Sequence, residues 1–267
     1  MTGIQRIEQA FIRLTAKDQA AFMPYMPVGY PSPALSPAIF HALVDAGADL
    51  IEIGVPFSDP LADGPTIQAA TQQALAQGVT PADAFRLVEQ LRAEGVRIPL
   101  ILMGYINPIL AYGMAQYVAD AEAAGADGFI IPDLPPDEAG EMEALAREHH
   151  LALIHLVAPT STPDRLALAA AHSTGFLYLV SVAGVTGARD DLPPHLAEFV
   201  GRVREHTDLP LAVGFGIATP DQARQVAQLA DGVVVGSALV RRAGSEHPVE
   251  AVRELASALA DAAHNVN

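Results

Sequence analysis

The chain has 267 residues, of which 51% are hydrophobic and 17% are charged, a composition that allows a substantial core and excludes an intrinsically disordered protein. Its formal net charge of −16 argues against a nucleic-acid-binding protein, because such proteins need clustered Lys and Arg side chains. The absence of cysteine excludes disulfides, thiolate metal sites and cysteine nucleophiles.

In chain order, short apolar or β-branched runs alternate with Ala-rich amphipathic stretches. The first element, Ile4–Thr15, predicts an extra helix at the amino-terminal end of a barrel. Strands are predicted at Phe22–Val28, Leu50–Val55, Pro99–Gly104, Gly128–Pro132, Ala152–Val157, Phe176–Val180, Pro210–Gly214 and Gly232–Val235. Helices are predicted between them, for example at Ser36–Ala46, Pro81–Glu94, Met114–Ala124, Asp137–His149, Thr219–Ala230 and Val249–Ala262.

Eight βα units at this spacing predict the α/β class, with a single (β/α)8 TIM barrel over residues 1–267 and an extra N-terminal helix. A doubly wound open sheet is the alternative, but no G-x-G-x-x-G follows the first strand. No apolar run approaches the ~18 residues of a membrane span, and residues 1–11 lack the apolar segment of a signal peptide. We therefore expect a cytoplasmic protein that contacts neither membrane nor nucleic acid.

Lysine and histidine positions limit the chemistry of the chain. Lys17 is the only lysine and precedes the first predicted strand, whereas imine-forming aldolases and pyridoxal phosphate enzymes need a lysine inside the pocket. Of the nine histidines only His155 falls on a predicted strand, and no pair has metal-ligand spacing near a strand end. The sequence therefore argues against imine chemistry and predicts no metal site.

The segment LIEIGVPFSDPLADGPT, residues 50–66, carries carboxylates at a strand end, where reactive groups of such barrels lie. Alternation along the strand places Glu52 on the face that points into the barrel. A lone interior carboxylate is costly, so we interpret Glu52 as functional in preference to a structural carboxylate satisfied by a loop donor. Asp63 in the following loop is a candidate partner for acid–base catalysis, although Asp59 and Asp63 are also typical turn formers.

Glycine-containing loops follow the last three predicted strands, at Gly184–Gly187, Gly214–Gly216 and Val235–Leu239. Such loops let backbone N–H groups approach a phosphate. Glycine is also an ordinary loop residue, but three such loops in succession favour a phosphate site. From the pattern alone, Tyr178 in the middle of a predicted strand is interpreted as core packing.

The segment EIGVPFSDPLADGPTIQ, residues 52–68, is similar to the signature of the tryptophan synthase alpha subunit family. The similarity continues through LMGYINPI, IPDLP, YLVSVAGVTGAR, VGFGI and VVGSALV, and it covers essentially the whole chain in register. The resemblance implies a lyase of tryptophan biosynthesis that cleaves indole-3-glycerol phosphate to indole and glyceraldehyde 3-phosphate. It also implies that this chain uses neither a metal nor an organic cofactor.

The resemblance further implies roles for individual residues. Glu52 matches the family's catalytic glutamate, which moves protons, and Asp63 matches the aspartate that stabilises positive charge on the indole nitrogen. Thr186 matches a threonine that hydrogen-bonds this aspartate when a loop closes. Other positions that match the substrate pocket are Tyr25, Leu102, Ile130 and Tyr178, which replaces the core interpretation of Tyr178. Positions that match the phosphate cradle are Gly187, Gly216, Gly236 and Ser237.

A partner is implied as well. Pro56 and Asp59 match the loop that meets the beta subunit, a pyridoxal phosphate enzyme that receives indole through a tunnel, so we expect a tetramer of two alpha and two beta subunits. One alternative is another phosphate-binding barrel, such as an isomerase or the enzyme of the same pathway that forms indole-glycerol phosphate. The latter would use pocket lysines that this chain lacks. The other is a non-catalytic module that only activates a beta subunit, and the presence of Glu52 and Asp63 argues against it.

Overall fold

The computed structural model describes residues 1–180, 195–214 and 216–265. In these ranges it has nine β-strands, all paired in parallel, and twelve α-helices. The strands are β1 Ala21–Pro27, β2 Ile51–Gly54, β3 Leu100–Met103, β4 Gly128–Ile130, β5 Ala152–Ile154, β6 Leu156–Val157, β7 Leu177–Val180, β8 Leu211–Gly214 and β9 Gly232–Val235. The helices are α1 Gly3–Thr15, α2 Ser36–Asp45, α3 Pro65–Ala76, α4 Pro81–Ala93, α5 Ile106–Tyr112, α6 Met114–Ala124, α7 Gly140–Glu148, α8 Pro163–His172, α9 Leu196–Arg204, α10 Pro220–Ala227, α11 Ser237–Ala243 and α12 Pro248–His264.

The sheet closes through an interrupted strand. The spatial order is β5-β4-β3-β2-β1-β9-β8-β7-β6, so the two edges, β5 and β6, are separated in sequence by His155 alone. β5 pairs with β4 and β6 pairs with β7, while the backbone N–H of Tyr178 donates to the carbonyl of His155 at 3.1 Å. The two halves therefore occupy one position of an eight-stranded barrel. The predicted barrel is confirmed, but the prediction of a continuous strand Ala152–Val157 was wrong at His155.

Helices cover the outside of the barrel, so strand residues are buried on both faces. All four residues of β2, β8 and β9 are buried, including the polar Glu52. In β1, β2 and β3 the paired residues Tyr25, Glu52 and Ile101 lie side by side and face the same way. This register decides which side chains reach the barrel interior.

Helix α1 covers the amino-terminal end of the barrel, which confirms the extra helix predicted there. Arg6 and Arg92 form ion pairs with Asp127, the residue before β4, and Asp127 also accepts from the backbone N–H of Leu100 at 2.7 Å. Asp127 is completely buried. Two guanidinium groups and one N–H offset the cost of burying its carboxylate. Lys17 follows α1 and is exposed, so the only lysine lies at the end of the barrel opposite to the carboxyl ends of the strands.

The predicted helix Asp137–His149 is divided in the structure. Residues Pro136–Glu138 form a short 3-10 helix, and α7 begins at Gly140. Thr80 and Thr219 cap α4 and α10 with reciprocal bonds to the third helical residue, as their Thr-Pro sequences indicate. In the part of the chain that the structure describes, no helix combines the length and the apolar character required to cross a bilayer.

Candidate active site

A cavity of about 750 Å³ lies at the carboxyl ends of the strands. Loops after β2, β8 and β9 form its mouth, and side chains of β1, β2, β3, β7 and β9 line it further inside. Its lining comprises Tyr25, Glu52, Ala62, Asp63, Gly64, Ile67, Met103, Tyr178, Gly216, Ile217, Ala218, Val234, Gly236, Ser237, Ala238 and Arg241. The cavity therefore brings together both predicted catalytic carboxyl groups and part of the predicted phosphate cradle.

Glu52 is a buried acid at the base of this cavity. Its side chain is fully inaccessible, and neither Oε1 nor Oε2 has a hydrogen-bond partner among the described residues. Burial raises the pKa of Glu52 from 4.5 to about 8, because the protein interior disfavours the charged form. At neutral pH the group is therefore a carboxylic acid with a proton to donate.

Asp63 reaches the same cavity from the loop between β2 and α3. This loop is held by a bond from the Asp63 N–H to the Pro60 carbonyl at 3.1 Å and by one from the Gln68 amide to the Asp63 carbonyl at 2.9 Å. The side chain of Asp63 accepts a hydrogen bond from the Tyr105 hydroxyl. Burial raises the pKa of Asp63 from 3.8 to about 6, and the Tyr105 bond limits that rise. Asp63 is therefore mainly ionised at neutral pH.

The two carboxyl groups thus differ in protonation state although they share one cavity. A neutral acid beside a carboxylate is the arrangement that general acid–base catalysis requires, and different environments are what separates the two pKa values. The sequence also allowed Asp63 to be a turn former. In the structure its backbone N–H and carbonyl make the hydrogen bonds of this loop, and its side chain faces the cavity.

Tyr25 and Tyr178 form part of the wall from well-separated strands, β1 and β7. Burial raises the pKa of both hydroxyls well above the usual value, with a further contribution from the charges of Glu52 and Asp63. A Cβ atom at Gly54 would collide with the Tyr25 hydroxyl, and one at Gly214 would collide with the Tyr178 hydroxyl. Glycine at these two positions therefore leaves the room that the tyrosine side chains occupy.

The predicted phosphate cradle is described in part. Gly216, Gly236 and Ser237 line one side of the cavity, and Ser237 is the first residue of α11, so its N–H has no partner within that helix. Gly216 has a φ of +86°, a conformation that favours glycine. The remaining predicted residues, Thr186 and Gly187, lie outside the described residues.

The structure places Leu102 away from this cavity. Leu102 pairs with Ile53 in the sheet, and Ile53 faces the opposite way from its neighbours Glu52 and Gly54. The side chain of Leu102 therefore points outward to the helices. Met103 pairs with Gly54 and Ile130, and its side chain lines the cavity. The pocket position that the sequence assigned to Leu102 therefore belongs to Met103. Ile130 is fully buried on the same face as Met103, although it does not itself line the cavity.

Tyr105 and Arg241 are further functional candidates that the sequence analysis did not single out. Besides bonding Asp63, the Tyr105 hydroxyl accepts from the N–H of Ala62 at 3.1 Å, and its ring packs on Phe57 with the ring centres 5.4 Å apart. Tyr105 directly follows the predicted strand Pro99–Gly104, and that position is the one signal in the sequence that indicates it. Arg241 gives no such signal, because it lies inside a short helix.

The two residues predicted to contact a partner differ in exposure. Asp59 is exposed and accepts a bond from the hydroxyl of Ser58, whereas Pro56 is buried within the chain itself. Leu61, in the same loop, has 84% of its surface exposed. The accessible part of the loop is therefore Ser58–Leu61.

No group of three or more His, Cys, Asp or Glu side chains is placed to hold a metal ion within residues 1–180, 195–214 and 216–265. His155 lines a second cavity, of about 630 Å³, beside the loop Ile131–Pro136. Burial lowers the pKa of His155, and its Nε2 lies 3.7 Å from a Glu143 oxygen. The only histidine predicted on a strand is therefore outside the cavity that holds Glu52.

Several known proteins are similar to this chain over nearly its whole length. The family model "Tryptophan synthase alpha chain" matches residues 11–266. The tryptophan synthase alpha chain of Chloroflexus aggregans is 52% identical, with 96% of this chain and 98% of the relative covered. That of Roseiflexus castenholzii is 51% identical, with coverage of 95% and 97%. Among solved structures, tryptophan synthase of Mycobacterium tuberculosis matches with a TM-score of 0.91 at 44% identity, covering 97% of this chain and 98% of that one.

Proposed function

This chain belongs to the tryptophan synthase alpha chain family and is a lyase that cleaves indole-3-glycerol phosphate in tryptophan biosynthesis, and we propose that Glu52 and Asp63 carry out the cleavage. The observation that carries this proposal is the completely buried Glu52, whose oxygens have no hydrogen-bond partner among the described residues. Such a group costs stability, so its retention in a cavity indicates a use for its proton.

In the proposed mechanism Glu52 acts twice. Its carboxylic acid first donates a proton to indole C3, which turns the ring into a cation that withdraws electrons from the bond to the glycerol chain. The resulting Glu52 carboxylate then takes the proton of the adjacent glycerol hydroxyl as that carbon–carbon bond breaks. Indole and glyceraldehyde 3-phosphate are released, and Glu52 regains the proton with which it began.

Asp63 stabilises the cation in this mechanism. Its carboxylate accepts a hydrogen bond from the indole N–H, where positive charge develops after protonation of C3. The hydrogen bond from the Tyr105 hydroxyl limits the rise in the pKa of Asp63, so Asp63 stays mainly ionised at neutral pH. A fixed negative charge in a poorly solvated cavity stabilises such a transition state more than water does.

Substrate binding is assigned to the remaining parts of the cavity. Tyr25, Tyr178 and Met103 flank the indole ring, with Ile130 buried behind Met103. The N–H groups of Gly216, Gly236 and Ser237 bind the phosphate, and Thr186 and Gly187 are proposed to complete the site. Because the chain has a net charge of −16, its overall electric field does not attract an anion. The phosphate is therefore bound locally, by backbone N–H groups.

We propose that the partner is a beta subunit, in a tetramer of two alpha and two beta subunits. Leu61 and Leu110, which follow the neighbouring strands β2 and β3, have 84% and 56% of their surfaces exposed, and exposed apolar groups favour an interface. Asp59 lies in the same loop as Leu61; Pro56 would support the loop from within.

Pyridoxal phosphate is assigned to the beta subunit, because the only lysine here is exposed at the opposite end of the barrel. We place the complex in the cytoplasm, where a charged phosphorylated substrate is retained.

The dependence of kcat/KM on pH is expected to be bell-shaped, with limbs near pH 6 and pH 8. Activity falls below about pH 6 because Asp63 becomes protonated, and above about pH 8 because the free enzyme loses the Glu52 proton. Indole release is measured from pH 5 to pH 10. The alkaline limb is the decisive one, because the substrate phosphate titrates only near pH ~6. A rate that stays level up to pH 10 contradicts the assignment of Glu52 as the acid.

The direct test is turnover of indole-3-glycerol phosphate by the purified chain, alone and with a beta subunit. Indole is expected to appear at a rate that EDTA leaves unchanged, because carboxyl groups supply the chemistry. Borohydride added with substrate is likewise expected not to inactivate the enzyme, since no imine forms. Loss of turnover with EDTA that a divalent ion restores contradicts the mechanism, and the absence of any indole contradicts the function.

A further inference from the structure

Arg241 is the only Lys, Arg or His side chain among the described residues that line the active-site cavity. It lies in α11 four residues after Ser237, and residues four apart in a helix share one face. Ser237 belongs to the proposed phosphate cradle, so Arg241 lies on the side of the cavity where a phosphate is expected, one helical turn further out.

The guanidinium of Arg241 is exposed and has no ion-pair partner within the described ranges. Other arginines differ in this respect, for example Arg92 with Asp127, Arg165 with Asp137 and Arg204 with Asp231. Arg241 lies at the mouth of a cavity that contains two carboxyl groups, and no carboxylate of the described residues forms an ion pair with it. Its charge is therefore available for an anionic ligand.

We propose that Arg241 binds the substrate phosphate through charge-assisted hydrogen bonds, a role that rests on the cleavage of indole-3-glycerol phosphate by this chain. The backbone N–H groups of the cradle set the position of the phosphate, and Arg241 contributes the positive charge that they lack. With a net charge of −16, the protein as a whole repels a dianion, so a single cation at the mouth strongly influences binding.

This role makes a specific kinetic prediction. The phosphate does not take part in bond breaking, so its contact with Arg241 is equally strong in the bound substrate and in the transition state. Loss of such a contact raises KM and leaves kcat unchanged. A residue that acted only on the packing of α11 would instead lower kcat or stability.

The test compares Arg241→Gln with the wild-type enzyme. We expect KM for indole-3-glycerol phosphate to rise about tenfold, and kcat to change by less than about twofold, because a hydrogen bond to a charged group contributes about this much to binding. Inhibition by inorganic phosphate is expected to weaken by a similar factor. Arg241→Lys should recover part of the affinity, because it keeps the charge but not the planar donor set.

Arg242→Gln is the matched control, since Arg242 is the next residue of α11, is also exposed and does not line the cavity. Its KM is expected to equal that of the wild type. Equal effects of the two substitutions, an unchanged KM in Arg241→Gln, or a loss of kcat alone would overturn the proposal. If the wild type releases no indole, the proposed function fails, and direct calorimetry with inorganic phosphate still decides whether Arg241 binds the anion.

Discussion

Glu52→Gln is expected to lower the rate of indole release by about 10²–10⁴-fold, the range that a general acid–base group contributes. Glutamine has nearly the same shape as the protonated glutamate, so the cavity keeps its form while the transferable proton is lost. The effect falls on kcat, because the phosphate and indole contacts that set KM are made by other residues. Single-turnover and steady-state assays of indole release measure it. Turnover within a few-fold of the wild type would show that Glu52 is not the proton shuttle.

The same substitution separates catalysis from stability. Burial holds the pKa of Glu52 near 8 in the folded protein against 4.5 when unfolded, so the folded state keeps a proton that the unfolded chain releases. Glu52 therefore lowers stability progressively as pH rises from about 4.5 to 8. The melting temperature of Glu52→Gln is expected to equal or exceed that of the wild type, with the difference increasing over this range. Glu89→Gln, the same change at an exposed position of α4, is the control.

Asp63→Asn is expected to lower kcat by about 10²–10³-fold, a loss comparable to removal of one preorganised electrostatic group from an active site. The amide can still accept the hydrogen bond of the indole N–H, but it no longer carries the charge that stabilises the cation. KM is expected to change only a few-fold, because the proposed phosphate cradle is made of other residues.

Asp208→Asn is the matched control, because Asp208 is an exposed aspartate in the connection from α9 to β8, at the amino-terminal end of the barrel. It loses the same charge without access to the cavity and is expected to retain wild-type kinetics. Circular dichroism of both variants confirms that the barrel is intact. A wild-type kcat in Asp63→Asn, or an equal loss in Asp208→Asn, contradicts the electrostatic role of Asp63.

Much of the fold and the central acid could be predicted from the sequence. The alternation of apolar and Ala-rich runs is a local property, and it predicts eight βα units because each unit buries one face of its strand and its helix. The alternation of side chains along the second strand predicts that Glu52 points inward, and the structure confirms this, because Glu52 lines the cavity at the carboxyl ends of the strands. The family was also identifiable from residues 52–68, since that segment combines a strand, three prolines and the carboxylates in one unusual order.

Other features were decided by tertiary structure. The family resemblance predicted Leu102 as a pocket residue, whereas the register of β3 places the neighbouring Met103 in the lining of the cavity. The break at His155 separates the residues that pair with β4 from those that pair with β7. Neither feature leaves a local pattern in the sequence.

The sequence alone likewise could not show that Glu52, Asp63 and Arg241 line the same cavity. Asp63 is eleven residues from Glu52 in the chain, and Tyr105, which limits the rise in its pKa, comes from a different strand end. Arg241 faces the same cavity from α11. The sequence determines which groups are present and which way a strand residue points. Only the closed barrel determines which groups lie close together. The different depths of burial of Glu52 and Asp63 in the cavity then separate their pKa values.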